Sequence, residues 1–144
     1  MTTEAYLGQL INVDHRIMDK LEEASHWYDI ALSYGSREIK EDMVQTSHKP
    51  DKMAEAVARA LDCKREAEQI AQTLTQKKYV IIKQIDGLEN ENHYNIIKAR
   101  YLKGISLNEF AKENNYSRRH VQRIMNSALD EFEDKYGIIY GSRR

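Results

Sequence analysis

Six consecutive residues, Arg118-Arg119-His120-Val121-Gln122-Arg123, gather three guanidinium groups, an imidazole and a carboxamide into less than two helical turns. Guanidinium forks donate in pairs to guanine edges or to phosphate oxygens, and a carboxamide pairs in the same way with adenine. On a helix, positions 118, 119, 122, 123 and 126 share one face, away from an apolar stripe of Val121, Met125 and Leu129. Ser117 stands just before them, where its hydroxyl can cap the helix and its neighbourhood suits a phosphate. Ser117, Arg118, Arg119, His120, Gln122, Arg123 and Asn126 are therefore candidate contacts to bases or nearby phosphates of double-stranded DNA. Lys98, Arg100, Lys103 and Lys112 are candidates for backbone contacts. The plainer alternative is a solvated basic face on an ordinary helical bundle.

Other residues that could do chemistry are scattered. His15, His26, His48, His93 and His120 have no metal-ligand spacing, and a single cysteine, Cys63, excludes a disulfide framework and a multi-cysteine zinc site. Glu22-Glu23 and Asp130-Glu131-Glu133-Asp134 read as charged helix surface, and no glycine-rich phosphate loop occurs. These residues predict no enzyme, no metal site and no cofactor.

The elements that must position the basic cluster are three short helices beyond Leu88. Asn90 or Asn92 can cap the first, which carries Ile96, Ile97, Tyr101 and Leu102 and ends at Gly104. Ser106-Leu107-Asn108-Glu109 is a capping box opening the second, whose buried face is Leu107, Phe110 and Ala111. Asn114-Asn115-Tyr116 is a tight turn, with Asn115 suited to a left-handed backbone. The third helix buries Val121, Met125, Ala128, Leu129 and Phe132, with Ile124 partly covered. Two helices on so short a turn, the second opening with basic residues, match the helix-turn-helix that reads a major groove.

Upstream, one helix is expected over about Thr3 to Leu32, with Tyr6, Leu10, Val13, Ile17, Leu21, Ala24, Tyr28 and Ala31 on its buried face. A loop over about 33–50 follows, with a short helical turn around Glu38 to Met43. Then Met53, Ala60, Ala67, Leu74, Ile81 and Leu88 recur every seven residues, with Ala56, Cys63 and Ile70 in the second seam position until Lys77 and Gln84 interrupt it. Gly87 is placed as the C-terminal cap. A helix of this length runs to roughly 55 Å, too long to bury itself. The expected fold is all-α: residues 1–88 form a long antiparallel, coiled-coil-like helical hairpin that serves as an oligomerisation scaffold, and residues 89–144 form the three-helix reader. Met53, Ala60, Cys63, Ala67, Ile70, Leu74 and Ile81 form the hairpin or oligomer seam, and a homo-oligomer of two or more copies is expected. The apolar tail Tyr136-Gly137-Ile138-Ile139-Tyr140 is expected to cover the reader's core, with a neighbouring subunit or RNA polymerase as the other docking options.

The segment Arg100 to Ala111, continuing through Tyr116-Ser117 to Val121, resembles region four of bacterial sigma factors: an aromatic after Arg, a Glu-hydrophobic-Ala triplet, a turn, a Ser cap, and Val four residues later. It departs from that pattern by placing Asn115 where Gly is usual. The whole chain, including Val44-Gln45-Thr46-Ser47 and Asp51-Lys52-Met53, resembles small phage regulators of the ArpU/RinA-like type. That resemblance implies a sequence-specific transcriptional regulator, an activator of late or packaging genes in phages and prophages of Gram-positive bacteria. A small terminase-type packaging component, or a module that mimics region four to bind RNA polymerase, are the alternative roles.

Composition fits this division. The formal net charge is -1, yet residues 1–89 hold 12 basic and 16 acidic side chains, a net -4, while residues 90–144 hold 10 and 7, a net +3. An acidic scaffold that DNA repels leaves the basic third as the contact surface. No signal peptide is visible after Met1, and no apolar run is long enough to cross a membrane. A cytoplasmic, nucleoid-associated protein of a bacterial host is expected, with no membrane partner.

Overall fold

A computed structural model describes the backbone of residues 1–41 and 49–142 and the side chains of residues 1–34 and 52–142. Among these residues the fold is all-helical: α1 (Thr3–Gly8), α2 (Val13–Glu41), α3 (Lys49–Asp86), α4 (Glu91–Ile97), α5 (Leu107–Asn114) and α6 (Arg118–Tyr136). No helix among them is long and apolar enough to cross a membrane. Val44 to His48 lie outside the described residues.

The first helix differs from expectation at both ends. It is broken after Gly8 by turns in which Leu10 and Ile11 N–H groups bond carbonyls three residues back, and Asn12 adopts φ 65°. Asparagine tolerates that left-handed backbone, so the chain restarts at Val13 as α2. At the other end α2 does not stop at Leu32 but runs to Glu41. Gly35 and two serines lower helix propensity by fractions of a kcal/mol to ~1 kcal/mol each, which a long helix absorbs. Pro50 stands in the first turn of α3, where a missing N–H costs nothing. The described parts of the expected loop, residues 33–41 and 49–50, are thus helix.

Packing also corrects the seam. Ala60, Ala67, Leu74 and Ile81 are buried as the seven-residue repeat predicts, and Met53 is half-buried. Within the single chain the second buried row is not Ala56, Cys63 and Ile70: Ile70 is 43% exposed and Cys63 only half-buried. It lies one residue later, at Val57, Lys64, Ala71, Lys78 and Ile85, with Ala71 and Ile85 buried. Lysine looks out of place in a seam, but its long stem covers apolar surface while the ammonium reaches a partner. Lys64 Nζ stands over the Tyr28 ring, 5.0 Å from its centre, and Lys78 pairs with Asp14. These contacts join α2 to α3; the earlier α2 residue meets the later α3 residue. On α2 the same shift appears: Ala24 and Ala31 are buried, whereas Leu21 and Tyr28 are 46% and 44% exposed.

The chain forms two compact units, residues 1–14 with 76–144, and residues 15–75. This division differs from a break at 88/89, and side-chain contacts explain it. In the first unit Tyr6 stacks on Tyr140 at 4.2 Å between ring centres, Thr3 Oγ1 lies 2.7 Å from the Tyr140 hydroxyl, and the Tyr6 hydroxyl donates to Gln84 Oε1 at 2.6 Å. Leu7, Ile85, Ile96, Ile97, Val121 and Phe132 are the largest fully buried side chains among the described residues. The tail is split by side chain: Tyr136 and Tyr140 turn toward Phe132, while Ile138 and Ile139 are exposed.

Candidate nucleic-acid interface

Local capping chemistry builds the basic surface. Asn90 Oδ1 accepts from the N–H groups of Asn92 and His93 and starts α4. After Ile97 one π-helical turn, Lys98–Leu102, lets Lys103 N–H reach the Lys98 carbonyl five residues back, and Ala99 and Tyr101 are buried within it. Gly104, at φ 70°, then reverses the chain. Ser106 Oγ accepts from Glu109 N–H at 3.2 Å to open α5. Asn115 sits at φ 57°, ψ 39°, the left-handed conformation expected of it, and ends α5. Two residues on, Ser117 Oγ accepts from His120 N–H at 3.1 Å and opens α6.

Burial then separates the faces of α6. Val121, Met125, Ala128 and Phe132 are buried, Ile124 and Leu129 half-buried. Phe110 and Ala111 bring α5 against this stripe. Every residue from Lys112 to His120 is exposed, as are Gln122, Arg123 and Asn126. Five of these, at 118, 119, 122, 123 and 126, form one strip along α6. Among the described residues no ion pair occupies Arg118, Arg119 or Arg123. Gln122 Nε2 donates to Asn126 Oδ1 at 3.1 Å, which orients the two amides as a pair one turn apart. Ser117 spends an acceptor on its cap but keeps a hydroxyl proton to donate. The first N–H groups of α6 have no intrahelical partner, so an anion is favoured there.

The candidate backbone contacts are not on this strip. Lys103 and Lys112 are exposed, on the segment before α5 and on α5 itself. Lys98 is half-buried, its Nζ donating to the Tyr94 hydroxyl at 3.1 Å and lying over that ring. Arg100 is half-buried too, 5.9 Å from the centre of the Tyr101 ring. Burial raises the Tyr101 phenol above its usual range; Glu4 adds to the rise and Arg100 opposes it.

Two features were not foreseen from sequence. Tyr116 meets the His120 ring edge-on at 4.8 Å, so the imidazole is oriented from the turn; an aromatic just before the cap serine was the available signal. Glu131 is not a solvated surface acid. Its Oε1 accepts from Asn90 N–H at 3.3 Å and meets His93 Nδ1 at 3.1 Å, and its Oε2 is buried without a hydrogen-bond partner. It ties the start of α4 to α6. Gly87 follows the last residue of α3 as expected of a C-terminal cap, its N–H bonding the Lys83 and Gln84 carbonyls, without a positive φ. Its lack of a side chain matters because a Cβ there would lie 2.1 Å from the Tyr136 hydroxyl oxygen.

Among the described residues no group of three or more His, Cys, Asp or Glu gathers where it could hold a metal ion. No family model, curated protein or solved structure matches the chain.

Proposed function

We propose that the chain is a sequence-specific DNA-binding regulator of transcription in which α5 and α6 act as a helix-turn-helix and α6 enters the major groove. On its resemblance to region four and to ArpU/RinA-like regulators, the target is phage or prophage genes and the effect activation. In this reading α2 and α3 are an antiparallel hairpin whose self-association sets the spacing of DNA half-sites. The observation that carries the proposal is the exposed strip of Arg118, Arg119, Gln122, Arg123 and Asn126. It lies on a helix opened by a left-handed Asn115 and the Ser117 cap, and its guanidinium groups are unpaired among the described residues. Such groups cost little to redirect toward base edges.

Capture of genomic fragments by the purified protein, followed by footprinting of the best site, tests it. Arg119→Ala or Arg123→Ala is expected to cost about 1–3 kcal/mol at that site, whereas Lys112→Ala weakens all DNA sequences alike. An Arg118/Arg119/Arg123 triple alanine variant that keeps full affinity for its site would overturn the assignment. A second reading, mimicry of region four without DNA contact, is favoured by Ile138 and Ile139, which stand side by side at 77% and 67% exposure. Binding to RNA polymerase with no DNA shift at low salt would select it.

A further inference from the structure

Gln122 and Asn126 are both exposed on α6, yet Gln122 Nε2 donates to Asn126 Oδ1 at 3.1 Å. A lone amide on a helix surface can turn over, so that its oxygen and nitrogen exchange places. Here Asn126 opposes that turn, because Gln122 turned over would set its own oxygen against Oδ1. One Nε2 hydrogen is taken up by the contact. Oε1 and the other Nε2 hydrogen remain, one acceptor beside one donor, with no further partner among the described residues. Position along the helix decides what this pair can meet. Arg118 lies one turn before Gln122, and Arg119 and Arg123 flank it, all three without an ion pair among the described residues. Beyond Asn126 the same face turns acidic: Asp130 follows one turn later, and Glu4, Asp130 and Glu133 line a cleft that Asn126 borders. Carboxylates repel a phosphate backbone, so the part of α6 able to lie in a groove ends at Asn126. From residue 118 that part is ~12 Å long by the helical rise, and Gln122 stands at its middle.

We infer that Gln122 is the residue of this surface that selects a base, that the base is adenine, and that Asn126 is its positioning residue. The inference deepens the DNA-reading proposal and rests on it. In the major groove adenine alone presents an N–H donor beside an N7 acceptor. Gln122 Oε1 accepts from adenine N6, and the remaining Nε2 hydrogen is donated to N7. Guanine offers two acceptors, so its O6 faces Oε1 without a proton between them; cytosine and thymine offer one polar group each. The arginines differ from Gln122 in this respect. Each carries its donors on a long stem with no fixed partner, and reaches a phosphate as readily as a guanine. They supply attraction, and the held amide supplies discrimination. An amide already oriented by Asn126 also loses less side-chain freedom when DNA arrives.

Selection of randomised duplex DNA by the purified full chain, followed by competition between the selected duplex and its single-base-pair replacements, tests this. One position is expected to require adenine, each other base there binding roughly 5- to 150-fold more weakly, the size of a good two-point contact. Gln122→Ala is expected to abolish the preference at that position and leave the others in place. Gln122→Glu is expected to move it to cytosine, whose N4 donates to a carboxylate. Asn126→Ala is expected to weaken the adenine preference roughly 2- to 12-fold, the worth of one hydrogen bond. Asn126→Asp keeps the acceptor, so the preference is expected to survive while every sequence binds less well. A merely structural role for Asn126 does not separate these two variants. An adenine preference that survives Gln122→Ala or Gln122→Glu, or an equal effect of both Asn126 variants on it, overturns the inference and leaves the DNA reading standing. DNA binding with no selected sequence, or no DNA binding, overturns both.

Discussion

Both compact units are helical, yet they bury different things. Around α4, α5 and α6 the interior is made of Phe132, Ile96, Ile97, Ile85, Leu7 and Val121, each less than 2% exposed. Among the described residues of 15–75 the fully buried side chains are mostly alanine, while Met18, Leu21, Tyr28, Leu32 and Ile70 are exposed. The first is a finished core, able to hold a surface strip of arginines in place without help. The second gains little from each side chain it buries. The contrast teaches that helical periodicity alone does not say whether a seam is complete: both regions have it, and only side-chain volume separates them.

The largest test of this contrast is Phe132→Ala, expected to lower the stability of the first unit by about 3–5 kcal/mol in denaturant titration. That loss is expected to be the same at every protein concentration, whereas unfolding of residues 15–75 shifts upward as concentration rises. Next comes Gly87→Ala. Its Cβ would meet the Tyr136 hydroxyl oxygen at 2.1 Å, and a forced repacking of this kind costs about 1–3 kcal/mol. Tyr136→Phe, which removes that oxygen, is expected to recover part of the loss in the double variant. The smallest effect is alkaline. Burial raises the phenols of Tyr6, Tyr101 and Tyr140 above their usual range. A raised folded value means that the fold prefers the neutral phenol. The stability this lends is whole below about pH 10 and declines as pH rises beyond it through the folded values. Thermal melts from pH 9 to 11.5 are expected to fall over that window, and less steeply in Tyr6→Phe.

What the sequence made legible was local. Ser106 and Ser117 cap as their spacing predicts, Asn115 takes the left-handed turn, and the buried stripe of α6 follows its 3.6-residue period, because each depends on groups within four residues. The seam register was not legible. Choosing Ile70 over Ala71 follows from ranking side chains by hydrophobicity, and the structure favours the alanine for its size and accepts Lys64 and Lys78 for their stems. Nor was the end of α2 legible, since Ser33, Gly35 and Ser36 resemble a loop when the length of the helix around them is unknown. Glu131 reads as one surface acid among four until Asn90 and His93, some forty residues earlier, are brought to it.

The meeting of Thr3 and Tyr6 with Tyr140 carries a consequence for the order of folding. Partners 137 residues apart close a loop that spans nearly the whole chain, and non-local closure is slow. Residues 15–75, by contrast, are contiguous and leave the ribosome well before Tyr140 does. During synthesis residues 15–75 are therefore available first, while the arginine-bearing unit waits for its last tyrosine.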